Sequence, residues 1–151
     1  QTKVYTFRNA YSDAQYGADS EYFNTLIKWG EDDQIIDTGA TFTDATITGD
    51  GTYSVSVSGY DFSADSDGLN MLFLSTDFPY FNTTRISDVV VKCDDTEYPI
   101  AKPSVMADDQ GNMYVELVNI YNTSLAPLDY TMPKDSITIT FTISGTGNVL
   151  Q

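Results

Sequence analysis

The chain has 151 residues, 41% of them hydrophobic and 13% aromatic, with a formal charge of −15 from 22 acidic against seven basic side chains. That length suits one domain, read here as 1–151, and the apolar content is enough for a core, which excludes global disorder. The negative field repels phosphate backbones and anionic lipid heads, so nucleic-acid and membrane-surface roles are excluded, and no apolar run approaches the roughly 18 residues of a membrane span.

In chain order, Lys3 to Arg8 reads as a strand. Ser20 can cap a short helix over Glu21 to Trp29, with Phe23, Leu26 and Ile27 on one face and Gly30 as the stop. Ala40 to Thr48 is a strand candidate, and Gly49-Asp50-Gly51 reads as a hairpin loop leading into Thr52 to Ser58. There Tyr53, Val55 and Val57 share one face and serines line the other. Met71 to Thr76, Ile86 to Cys93, Glu97 to Ile100 and Met113 to Asn119 are further strands. Asp94-Asp95 and the run Asp108 to Asn112 supply the turns between them. The clearest alternation is Ser136 to Ile143, with Ile137, Ile139, Phe141 and Ile143 opposite a row of threonines. The residues from Ser144 onward are small and polar. Together these elements predict an all-β fold, an antiparallel two-sheet sandwich of jelly-roll type with one short helix.

The chain has no histidine and a single cysteine, Cys93. Ser-His-Asp, Cys-His and His-metal sites are thereby removed, no intrachain disulfide forms, and Cys93 reads as an inert thiol on a Val-rich strand. A lone thiol in an exported domain fits a bacterial source. Glu116 is the best-placed strand glutamate, but no partner carboxylate stands out for two-acid catalysis, so the chain reads as a binding protein and not an enzyme. Asp65-Ser66-Asp67-Gly68 imitates part of an EF-hand loop, yet aligning its glycine puts Leu74 where the bidentate glutamate belongs. No cofactor is expected. A structural calcium ion held by several loops is the one option left open, with exposed acidic turns as the default.

The aromatic residues say more. A sugar ring offers an apolar C–H face and a hydroxyl rim, which an exposed aromatic and neighbouring polar groups satisfy in turn. Trp29 stands beside Gly30 at the predicted helix end, and Tyr80 with Phe81 in a probable loop. Tyr114 and Glu116 are two residues apart and project from one sheet face; an ionisable group there suggests a cleft floor more than an interior. Tyr121 follows closely enough to lie at its rim. These six residues form the expected carbohydrate site.

The run Ala40 to Val57, with its Thr-Gly-Asp-Gly-Thr-Tyr centre, resembles the central hairpin of β-sandwich carbohydrate-binding modules. Those modules are appended to extracellular glycoside hydrolases of gut and rumen clostridia. Val4 to Ala10, Leu72 to Asp77 and Ile137 to Gly145 are similar to other parts of them. The resemblance implies a secreted or cell-surface bacterial module, monomeric and non-catalytic, that binds β-glucan, xyloglucan or mannan and targets an attached hydrolase. It departs from the pattern in offering Trp29 alone where many such modules use several tryptophans. The alternative is a structural or adhesive surface module of a bacterial cell-wall protein.

Overall fold

Alternation with one aliphatic face demands that each such strand be shielded on one side, and two sheets packed face to face supply the shield. A computed structural model describes residues 3–10, 27–29, 35–37, 39–59, 61, 63, 71–80, 83–119, 122, 124–125, 131 and 133–146. They form twelve strands: β1 (Lys3–Ala10), β2 (Ile27–Trp29), β3 (Ile35–Asp37), β4 (Thr41–Thr43), β5 (Ala45–Ile47), β6 (Gly51–Ser58), β7 (Met71–Pro79), β8 (Arg85–Cys93), β9 (Thr96–Ile100), β10 (Ser104–Ala107), β11 (Asn112–Asn119) and β12 (Ser136–Ser144).

One sheet runs β10-β11-β7-β1-β2-β3, with β5 also paired to β1; the other runs β4-β6-β12-β8-β9. Pairing is antiparallel except where β2 joins β1 at Ala10 and Ile27. The chain changes layer between β3 and β4, β4 and β5, β5 and β6, β6 and β7, β7 and β8, β9 and β10, and β11 and β12. These crossings make the all-β sandwich that the pattern predicts.

A single apolar core lies between the layers. Ala45, Ile47, Leu72, Leu74, Met113, Val115, Leu117 and Val118 enter it from the larger sheet, and Val55, Val57, Val89, Val91, Cys93, Ile137, Ile139, Phe141 and Ile143 from the smaller. The expected inward residues of β6 and β12 are therefore inward, and their serines and threonines line the other face. Tyr53 is only half-buried, because its hydroxyl reaches out to donate to the Gly49 carbonyl at 2.8 Å. Burying one large apolar side chain contributes roughly 1.5–3 kcal/mol, so the inward faces of β6, β12 and β8 together hold their sheet to the other.

Two aspartates close β12 at its ends. Asp94, in the two-residue loop between β8 and β9, accepts the backbone N–H of Lys134 (2.8 Å), Asp135 (2.9 Å) and Ser136 (3.2 Å). Those donors, Lys134 and Asp135 foremost, hold its carboxyl below the ordinary aspartate value. Asp50, between β5 and β6, accepts the hydroxyl of Thr146 at 2.6 Å and its N–H at 3.0 Å, which lowers its pKa likewise.

Some expectations change. Ile27 to Trp29, expected at the end of a helix, is a strand registered between Ala10 and the run Ile35–Asp37. A helix that short is marginal in water, and strand partners outweigh its weak propensity. Residues 20–26 and Gly30 of that expected helix lie outside the described residues, among which no α-helix occurs. Residues 40–48 are not one strand: Thr41 to Thr43 pairs β6, and after Asp44 the run Ala45 to Ile47 pairs β1 in the other sheet. Gly49-Asp50-Gly51 is consequently a corner between layers and not a hairpin loop. Asp94-Asp95 does join β8 to β9 as expected, whereas the turn expected at Asp108 to Asn112 joins β11 to β10, a short strand not among those expected, and not to β9, which lies in the other sheet.

Candidate functional site

Two places on the larger sheet carry Tyr80, Tyr114 and Glu116, the members of the expected site whose side chains are described. On β11 the side chains alternate: Met113, Val115 and Leu117 point into the core, and Tyr114 and Glu116 occupy the opposite face. Register shifts either side of Tyr114 to Glu116 break the alternation at Val118, which joins Leu117 in the core. On that outer face Tyr114 packs against Phe73 of β7, ring centroids 5.1 Å apart, with Met106 of β10 beside them. Glu116, in register with Phe73 and Ser104, accepts a hydrogen bond from Asn119 Nδ2 at 2.7 Å. Tyr114 is 6% exposed and Glu116 7%, so the two share a face as expected but present little surface to a ligand.

Tyr80 is different. It follows β7 directly and is 40% exposed, the one large apolar side chain so open among the described residues. Its backbone N–H donates to the Gly111 carbonyl at 3.0 Å, which ties it to the β10–β11 turn. That turn is rigid for identifiable reasons. Asp108 Oδ1 accepts the N–H of Gln110 (2.8 Å) and of Asn112 (2.9 Å), its own N–H donates to the Asn112 carbonyl (2.8 Å), and Gly111 takes a φ of 80° open to glycine. Asp109 and Gln110 at the turn's crest are exposed. The arrangement is an aromatic ring on a fixed backbone beside polar side chains.

Trp29 does not join Tyr80. β2 lies past the Ala10 end of β1, level with Met71, and Tyr80 stands at the far end of β7. Nine residues of strand at about 3.3 Å each separate those ends by about 30 Å, too far for one short glycan contact. Only the backbone place of Trp29 is described, and Phe81 and Tyr121 lie outside the described residues. Asp65 and Asp67, the acidic residues weighed for the calcium option, lie outside them also, and no cluster of three metal-binding side chains occurs among those described.

Sequence reasoning missed Phe73, Asn119 and Asp109 as members of these two places. The unbroken apolar run Met71-Leu72-Phe73-Leu74 was a usable signal for Phe73, since a strand covered on both faces loses its alternation. Cys93 is buried at the end of β8; burial first, then the charge of Asp94, pushes its thiol up to about 11. Comparison with protein-family models, with curated proteins and with solved structures returns no match to this chain.

Proposed function

We propose that the chain is a non-catalytic glycan-binding module, working outside the cell to hold an attached glycoside hydrolase against plant cell-wall polysaccharide. The observation that carries this reading is Tyr80: an exposed ring on a backbone held by the Tyr80–Gly111 hydrogen bond, with Gln110 and Asn112 in the same turn. The ring stacks on the C–H face of a sugar and the turn meets its hydroxyls. Binding at such an edge raises the local substrate concentration for the partner enzyme and needs no chemistry of its own.

The test is affinity electrophoresis and calorimetry of the intact chain against mixed-linkage β-glucan, xyloglucan and mannan. Tyr80→Ala is expected to weaken binding about tenfold to a hundredfold while the circular dichroism of the fold persists. No binding by the intact chain to any of the three polymers removes this reading. Binding that survives Tyr80→Ala unchanged moves the site elsewhere.

A further inference from the structure

We infer that the Tyr80 edge discriminates glycans by charge, admitting neutral chains and rejecting uronate-bearing ones, with Asp109 as the specificity-determining residue. The inference rests on the glycan-binding reading and adds the electrostatic class of the ligand.

Asp109 is one residue past Asp108 and two before Gly111, whose carbonyl holds the Tyr80 backbone. The two aspartates differ in what they do. Asp108 turns its Oδ1 inward to the N–H groups of Gln110 and Asn112, and Asp109 stands exposed at the crest. No hydrogen bond or ion pair joins it to a cation among the described residues. Lys92 sits in the other sheet, in register with Thr138 and Glu97, and Lys134 adjoins the Asp94 loop. Arg85 opens β8 and donates to the Thr84 carbonyl. Lys102 precedes β10, whose four residues put it at least about 13 Å from the turn.

A carboxylate-bearing sugar stacked on Tyr80 stands beside the turn that carries Asp109 and meets the field of a chain whose formal charge is −15, which acts over a Debye length of roughly 8 Å at physiological salt. Like charges brought together in this way suppress a wrong partner without adding affinity for the right one. A neutral glycan meets no such penalty. Its binding is expected to be insensitive to salt, and that of an anionic glycan to improve as salt rises.

The experiment compares each neutral polymer, mixed-linkage β-glucan, xyloglucan and mannan, with its own carboxymethylated form, by calorimetry on the full chain in chelator. Ionic strength is set at about 0.02 M and about 0.5 M, where the Debye length falls from roughly 20 Å to roughly 4 Å. At low salt the carboxymethylated form is expected to bind at least about tenfold more weakly than its parent, with the gap closing at high salt. Asp109→Asn is expected to narrow the low-salt ratio, and Asp109→Lys to narrow it further. Equal binding of parent and carboxymethylated polymer at low salt overturns the selectivity and leaves the glycan reading standing. A ratio that Asp109→Asn and Asp109→Lys both leave unmoved overturns the role of Asp109. Failure of all three neutral polymers to bind removes the glycan reading, and this inference falls with it.

Discussion

Asp94 and Ser136 bond to each other twice: the Asp94 N–H donates to the Ser136 carbonyl at 3.0 Å, and the Ser136 N–H donates to Asp94 Oδ1 at 3.2 Å. The loop between β8 and β9 thereby fixes where β12 begins. Asp94→Ala removes the acceptor for three N–H groups, and Asp94→Asn keeps an oxygen for Asp135 and Ser136 but turns an amide N–H₂ toward the N–H of Lys134. Thermal melts are expected to rank the native chain above Asp94→Asn, and Asp94→Asn above Asp94→Ala. Indistinguishable melting temperatures for all three discount the clasp.

The same groups give an acid dependence. Both Asp94 and Asp50 titrate below the reference value of 3.8 in the fold, so the unfolded chain binds protons more readily. Their stabilisation is fully present above the unfolded pKa and is lost as pH falls through the folded one, that is, below about 4. Melting temperatures from pH 6 down to pH 3 are expected to drop more steeply for the native chain than for the double variant Asp50→Asn, Asp94→Asn. Parallel curves count against these two carboxylates.

Gly145 takes a φ of 78°, and a Cβ there collides with the Thr83 carbonyl oxygen, part of a backbone that cannot swing aside. Gly59 shares the left-handed conformation, at 81°, but has open space around it. Gly59→Ala is expected to cost about 1–2 kcal/mol, from conformation alone. Gly145→Ala costs more in urea denaturation, since it adds a clash to the same penalty; an equal cost at both positions excludes the close approach.

Cys93 is expected to resist alkylation in the native chain at pH 8, because burial holds its pKa near 11 and leaves little thiolate at a surface reagents cannot reach. In denaturant it reacts at the rate of a free thiol. Rapid native labelling by iodoacetamide, followed by mass, shows a more open β8 end than described.

The inward faces of β6 and β12 were legible because each strand is apolar on one face and hydroxylated on the other; that the two strands are neighbours in one sheet was not. β11 was half legible. Its core side followed from alternation, whereas the burial of Tyr114 and Glu116 depends on Phe73 and Met106 from other strands, which no local pattern records. β2, β3 and β10 are three or four residues long and too short to show a period. Tyr80 was identified as a loop aromatic from its context. Its bond to the β10–β11 turn, and its distance from Trp29, are properties of strand order, and strand order is set by pairings far apart in the chain.

β12, the last of the described strands, is the middle one of its sheet, with β6 and β8 as neighbours on either side. During synthesis those two neighbours emerge long before the strand that separates them. Until Ser136 to Ser144 leaves the ribosome, each displays an unsatisfied edge and a row of bare aliphatic side chains, so this sandwich is at its stickiest just before that strand appears. A message cut short ahead of residue 136 therefore encodes no smaller sandwich, only a substrate for chaperones and proteases.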